Sequence, residues 1–429
     1  MDLQNIKLKE LPLAIVDGDR SSKYPKREEF QSEGVVFLNS TNISDGRLDL
    51  YDANYITEEK YLSIKKGRVE QGDIIMTTRG SIGKVARIPK GFRGLINAQM
   101  LLIRADEKAF SGAFLFHWLR GEIGQAKLKN FSSGAAQPQI PIRDLQEIEV
   151  PTPSLIAQRR IASILSAYDD LIENNTRRIA ILEEMAQRIY EEWFVRFRFP
   201  GHEQVKMVES ELGLIPEGWM PSQVRECVTI HRGKSYKSTE LADEGGLPFV
   251  NLKCMERDGG FRKSGLKRFT GSYKETQKVT TGDLVMAVTD MTQERRIVAR
   301  CGRVPRLGSD FGVISMDLVK IDANKGVPRD FMYGMFRWSG FADEVKQHAN
   351  GANVLHLSPD RIAEYRFALP PSEVTAQFAG FISPMLHQCD VLLEKNEVLR
   401  ATRDLLLPKL ISGELDVSTL SEPEEAIAA

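Results

Sequence analysis

The chain has 429 residues, 42% of them apolar and 27% charged, with a formal net charge of −1. That length exceeds one ordinary core and predicts two or three domains of a globular protein, while near-neutral charge argues against a uniformly basic nucleic-acid coat and leaves room for local basic patches. Scattered cysteines (Cys227, Cys254, Cys301, Cys389) argue against a disulfide framework or zinc site, and the lack of a signal-like start or an apolar run of about 18 residues predicts a cytoplasmic, non-membrane protein.

The first predicted elements are short strands. "GVVFLN", "GDIIMTT" and "NAQMLLIR" follow one another between Gly, Asp and Asn turns. Phe114, Leu115, Trp118, Leu119, Ile123 and Leu128 then recur at helical spacing. A Gly-Ala turn leads to Pro151 and Pro153, and proline restricts both itself and the residue before it, so a boundary is expected there. Beyond it lies a long helix. Its seam is Ile161, Leu165, Tyr168, Ile172, Asn175, Ile179, Leu182, Ala186, Ile189 and Trp193, alternating spacings of four and three.

The chain then starts again. "VVFLN" (35–39) meets "LPFVN" (247–251), and "QGDIIMTTRG" (71–80) meets "TGDLVMAVTD" (281–290). "INAQMLLIRAD" meets "ISMDLVKIDAN", the stretch from Phe114 to Ala136 meets that from Phe331 to Asn353, and "VPTPSLIAQ" meets "LPPSEVTAQ". Landmarks kept in order predict two tandem copies of one unit, each about 200 residues long. After Pro370 and Pro371, a second long helix has the seam Phe378, Ile382, Met385, Cys389, Leu392, Asn396, Leu399, Arg403, Leu406 and Leu410. Arg403 interrupts this seam, and Pro384 is expected to bend it. An antiparallel pairing of the two seams would bring Asn175 ("LIENN") and Asn396 ("LLEKN") together, each satisfying the other; the alternative is that each Asn faces solvent or an outside partner, and the helices pack on their own domains. The expected fold class is α+β: two tandem α/β domains separated by two long helices in an antiparallel coiled coil, with a pseudo-two-fold internal repeat.

Catalytic motifs are not found. "RGSIGKVA" (79–86) fails the phosphate-loop pattern, and its "GSIG" lacks the helical context of a KH domain. No methyltransferase tetrad, metalloprotease or hydrolase motif occurs, and the six histidines do not cluster. Basic residues are more informative. Lys253, Arg257, Arg262, Lys263, Lys267, Arg268, Lys274, Lys278, Arg295, Arg296, Arg300, Arg303 and Arg306 crowd one stretch of the second copy. Arg79, Lys84, Arg87, Lys90, Arg93 and Arg104 occupy the corresponding stretch of the first. A charge run at the same place in both copies of a neutral chain fits an anionic polymer bound twice.

The strand, long-helix and terminal motifs "GDIIMTTRGSIGKVARIP", "IPEGW", "LIAQRRIASILSAYDDLIENNTRRIAILEEMAQRIYEEWF" and "LLLPKLISGEL" make the chain similar, over nearly its whole length, to the specificity (S) subunits of Type I restriction-modification systems. The resemblance implies two target recognition domains, 1–153 and, with its linker, 200–371. It also implies two long helices, 154–199 and 372–413, ahead of an acidic flexible tail, 414–429. It implies a non-catalytic subunit that reads a bipartite double-stranded DNA target and docks two methyltransferase subunits, with restriction subunits where the system has them. S-adenosylmethionine would belong to the methyltransferase, with no cofactor or metal on this chain. Two other classes fit the residues: the recognition part of a fused nuclease-methylase, and a coiled-coil scaffold that binds no nucleic acid. A salt-dependent DNA-binding assay separates the scaffold from the reader.

Candidate DNA-facing residues in the first copy are Arg79, Ser81, Lys84, Asn97 and Gln99, grouped around the turn after the Gly-Asp strand. Lys84 covering a strand and Gln99 capping a turn are the structural alternatives. The second copy offers Thr292, Gln293, Arg295 and Arg296, with Lys234 and Tyr236; it has "DMTQERR" where the first has "RGSIGK", as expected of domains reading different sequences. Candidate coiled-coil and partner-interface residues are Ile172, Asn175, Ile179, Leu182, Leu392, Asn396 and Leu399.

Overall fold

A computed structural model describes residues 4–130 and 139–417. Contacts divide the chain into two compact units: Met1–Glu173 with Asn396–Ala429, and Asn174–Lys395. The division cuts through both long helices.

In unit 1, the strands that matter are β1 (Leu13–Asp17), β2 (Val35–Leu38), β3 (Asn54–Ile56), β4 (Ile74–Thr77), β5 (Val85–Arg87), β6 (Gly94–Ile96) and β7 (Met100–Ala105). They form an antiparallel sheet in the order β1-β7-β4-β5 and a second sheet in the order β3-β2-β6, whose β2–β6 pair is parallel. The Gly-Asp stretch that the sequence writes twice becomes β4, and β4 is buried on both faces. Ile74 and Met76 pack into the cluster that holds Phe114, Leu115 and Trp118, while Ile75 points the other way, against Ile96 and Leu102. Alternation across a pleated strand with two apolar faces explains the unbroken apolar run. The Asp of the motif ends the preceding turn: the buried Asp73 accepts from Glu70 N (2.8 Å) and is held by Arg104.

Helix α1 (Gly112–Arg120) lays Phe114, Leu115, Trp118 and Leu119 on this core, capped by Ser111. Each such fully buried side chain contributes roughly 1.5–3 kcal/mol. The start of α2 (Leu155–Tyr190) and the last helical stretch of the chain complete it: Ile161 and Leu165 join Leu407, Leu410 and Ile411.

Unit 2 repeats the sheet plan. Its strands are β8 (Val228–Arg232), β9 (Leu241–Ala242), β10 (Leu247–Val250), β11 (Lys267–Phe269), β12 (Lys278–Val279), β13 (Leu284–Ala287), β14 (Cys301–Arg303), β15 (Gly312–Ile314) and β16 (Leu318–Ala323). The orders are β8-β16-β13-β14 and β9-β11-β10-β15-β12, again with one parallel pair, β10–β15. The second copy of the Gly-Asp stretch, β13, divides its side chains as β4 does: Leu284 and Met286 to one cluster, Val285 and Ala287 to the other. Helix α3 (Arg329–Trp338) stands where α1 stands in unit 1, and α4 (Ser372–Ser412) is the second long helix.

Within each unit the two long helices run in opposite directions. In unit 1, Arg160 reaches Val417 O (3.2 Å), Asp169 pairs with Arg403, and Asn396 Nδ2 donates to Ile172 O (3.4 Å). In unit 2, Cys389 Sγ meets Ile179 O, and Tyr190 packs edge-on against Phe378. No seam residue of either helix is exposed; Ile172, Leu392 and Asn396 are buried, and Asn175, Ile179, Leu182 and Leu399 are half-buried. Asn396 lies in unit 1 and Asn175 in unit 2. Helix α4 is continuous through Pro384. One expectation changes here: Arg403 does not break the seam. It is buried there because Asp169 of the facing helix neutralises it.

Candidate nucleic-acid interface

The turn after β4 is built by threonines and glycines. Thr77 Oγ1 accepts from Lys84 N (3.0 Å), Thr78 Oγ1 donates to Gln99 O (3.0 Å), and Gly80 and Gly83 adopt φ of 72° and 79°. At Gly80 a Cβ would meet nothing, so the left-handed backbone alone demands glycine. The turn's other neighbour is residue 139: Arg79 and Gln139 form a β-bridge, and Ile140 N donates to Thr78 O (2.9 Å). The "FSSGAAQP" stretch carrying the predicted Gly-Ala turn, residues 131–138, falls outside the described residues, as do residues 418–429 of the predicted tail.

Arg79 and Ser81 are exposed, and the Arg79 side chain has no hydrogen-bond or ion-pair partner among the described residues. Lys84 is exposed and touches Ser40 O at 3.4 Å; it lines a cavity of about 470 Å³ with Asp45, Arg120 and Arg403. Asn97 is buried, and its Oδ1 accepts from Gln99 N (3.0 Å), a local cap; Gln99 is exposed. Arg79, Ser81, Lys84 and Gln99 are therefore brought to one turn, and Asn97 supports it from beneath. Of the remaining basic residues, Arg87, Arg93 and Arg104 are engaged with Glu107, Glu58 and the Glu70–Asp73 pair.

The corresponding turn of unit 2 is closed on itself. Asp290 is buried and accepts from Thr292 N and Oγ1 (both 2.9 Å), Ile297 N (2.8 Å) and Val298 N (3.3 Å). Burial works to raise its carboxyl pKa, but these hydrogen bonds outweigh it and hold the group below the ordinary range. Gln293 donates to Gly351 O (3.4 Å) and Ala352 O (3.0 Å), and Arg295 to Gln347 Oε1 (3.0 Å) and Ala349 O (3.4 Å). Arg296 lies 3.6 Å from Asp258. Lys234 Nζ lies 4.0 Å from Glu240, and Tyr236 packs edge-on against Phe249. Thr292, Gln293 and Arg295 thus form one loop system with residues 347–352, and Lys234 and Tyr236 sit apart, on the other sheet.

A second feature recurs that the sequence reading missed. Arg120 of α1 holds the Asp45-Gly46 turn, donating to Asp45 Oδ1 (2.9 Å); Arg337 of α3 holds the Asp258-Gly259 turn through Asp258 O. A Cβ on Gly46 would come within 2.6 Å of the Arg120 guanidinium, and one on Gly259 within 2.7 Å of Arg337. The signal was present as "SDGR" and "RDGG", each with an arginine at the end of the following amphipathic helix. In unit 1 the clamp continues to the long helices: Arg120 also reaches Asp169 (2.9 Å), which Arg403 shares, and Arg400 bonds Asp45 (2.8 Å).

Among the described residues no group of His, Cys, Asp and Glu could hold a metal ion, and no helix is long and apolar enough to cross a membrane.

Residues 2–184 match the family described as Type I restriction modification DNA specificity domain. The chain is 26% identical over 380 residues to the Type I restriction enzyme MjaIX specificity subunit of Methanocaldococcus jannaschii, spanning 85% of this chain and 82% of the relative. It is 22% identical over 375 residues to the MjaVIII specificity subunit of the same organism, spanning 82% and 81%. The crystal structure of the Type I restriction-modification system S subunit from M. genitalium shares the fold, with a TM-score of 0.57 over 96% of both chains at 15% identity.

Proposed function

We propose that this chain, whose residues 2–184 match the Type I restriction modification DNA specificity domain, is the DNA-reading, non-catalytic subunit of a Type I complex, with each unit reading one part of a split duplex target. The observation that carries this reading is one sheet plan used twice with different turns after the buried strand: open and basic at Arg79–Lys84, closed around Asp290 at 291–297. A shared frame with unlike reading edges is what two half-sites of different sequence require. The two long helices act as an antiparallel coiled-coil spacer. A helix of about 40 residues extends roughly 60 Å, enough for readers placed one or more turns of duplex apart. Two methyltransferase subunits, and restriction subunits where the system has them, dock on this chain, and S-adenosylmethionine binds the methyltransferase. Sequencing methylated bases in DNA from cells carrying this chain with its methyltransferase tests the proposal. A motif of two short parts around an unspecified gap is expected; a continuous motif, or methylation unchanged by deleting this chain, would overturn it.

A further inference from the structure

The basic run of unit 2 separates into two halves once its partners are known. Its later members are used internally: Lys278 pairs with Glu275, Arg295 with the 347–349 backbone and Gln347, and Arg296 with Asp258. Arg300, Arg303 and Arg306 pair with Asp343, Asp390 and Glu394. The earlier members Lys267 and Arg268, both exposed on β11, have no hydrogen-bond or ion-pair partner among the described residues. They line a cleft of about 770 Å³ with Lys263, Ser238, Asp243 and Leu307. The cleft is a product of strand register. Ala242, Arg268 and Pro248 stand opposite one another across β9, β11 and β10 and so share one face of the sheet. A small residue and a proline on either side leave the guanidinium in an open trough.

The matching edge of unit 1 is lined differently. Its matching strand, β3, carries Asn54, Tyr55 and Ile56, and the cavity beside it, about 340 Å³, is lined by Glu29, Glu59, Gln31, Thr57, Lys60 and Ser63. There Lys60 is neutralised by Glu29 at 2.8 Å. The same edge is cationic in one unit and acidic in the other.

We propose that the Lys267–Arg268 cleft of unit 2 is a sugar-phosphate backbone site, so that unit 2 grips duplex DNA without regard to sequence while unit 1 lacks that grip. The proposal rests on the chain being a DNA reader. Arg268 on the trough face and Lys267, at the next and oppositely facing position, at its edge are two cations without a partner among the described residues, which suits adjacent phosphates, and Ser238 adds a neutral donor at the wall. Each phosphate neutralised contributes a slope of about −0.9 to log Kobs against log salt, so two phosphates account for about −1.8, or about a twelvefold loss of affinity for a fourfold rise in salt.

The test is binding of the full chain, wild type and Lys267→Ala/Arg268→Ala, to a duplex of scrambled sequence across a salt series. The expected result is a slope shallower by about 1.8 in the double variant, with the wild-type slope retained by Lys267→Arg/Arg268→Lys and the methylated motif unchanged in cells. An unchanged slope in a folded double variant overturns the cleft and leaves the DNA reader standing. A changed methylated motif also overturns the backbone assignment, since the cleft would then be reading bases. Wild-type chain with no salt-dependent affinity for any duplex overturns both.

Discussion

Units 1 and 2 share a sheet order and a doubly buried central strand but differ wherever that frame meets a helix or an open edge. At the helix side, unit 1 concentrates charge on Asp169, whose carboxylate faces Arg403 and Arg120 while its backbone carbonyl accepts from Arg47. Unit 2 answers with separate pairs, a bidentate Arg303 on Asp390 (2.6–2.8 Å) and Arg306 on Glu394. At the edge, unit 1 leaves Arg79 without a side-chain partner among the described residues and Lys84 with one long bond to Ser40 O, while unit 2 ties its turn cations down. The frame is set by apolar alternation, which tolerates many sequences; the charge pattern is placed residue by residue and can diverge without touching the core.

The largest expected effect tests the charge hub. Asp169→Ala leaves Arg403 and Arg120, 9% and 13% exposed, without their shared carboxylate and with only the more exposed Asp404 and Asp45 as partners. A buried cation stripped of every partner costs roughly 3–5 kcal/mol, and two partial losses at one hub should together approach that figure. Asp390→Ala strands only Arg303 in unit 2, and the loss there should be smaller. Chemical denaturation followed by hydrogen exchange in each unit measures both. Equal losses would show that the hub is no more than a sum of surface pairs.

Next comes an acid response confined to unit 1. Burial pushes the His117 imidazole down to about 3, against the opposing pull of Asp169. The unfolded chain takes up a proton below about pH 6.5 that the folded unit refuses. Stability is therefore full above that pH and falls from about 6.5 towards 3, by a few kcal/mol across the window. Unit 2 has Gly334 at the matching place, where a Cβ would come within 2.8 Å of Tyr190 Cδ2. Hydrogen exchange of the α1 and α3 amides at pH 7 and pH 5 should show loosening of α1 alone, and His117→Leu should abolish the difference. Parallel loosening of both helices would assign the response elsewhere.

The repeat, the buried strands and the long-helix seams were readable because each rests on apolar spacing, and spacing is a property of the chain itself. The state of each arginine was not. Arg79 and Arg295 look alike in sequence, yet among the described residues the first side chain has no partner and the second is bonded to residues 347 and 349. Arg403 read as a flaw in a seam because its partner lies far away in the chain, at Asp169. Asn97 read as a base contact because a buried cap and a reading group share one chemistry. Partners distant in sequence decide these roles, and periodicity is blind to them.

The smallest effect concerns the two turns and separates reading from bracing. Arg79 has an exposed guanidinium with no partner among the described residues, on a turn fixed by Thr77 and Thr78, so Arg79→Ala removes no side-chain bond that holds the turn there. If it meets a base edge, the change should cost about 1–3 kcal/mol of binding and relax one position in one part of the target. If it meets a phosphate, all sequences should weaken together, with a salt slope smaller by about one. Arg295→Ala differs in kind. Arg295 sits at φ 54° and holds Gln347 and Ala349, and its loss should free the 347–352 segment to proteolysis while costing binding less than Arg79→Ala does. Methylated-motif sequencing and limited proteolysis on both variants decide the matter. A relaxed position from Arg295→Ala with the 347–352 segment still protected would make that arginine a reader, and unit 2 would then read DNA with the same turn as unit 1.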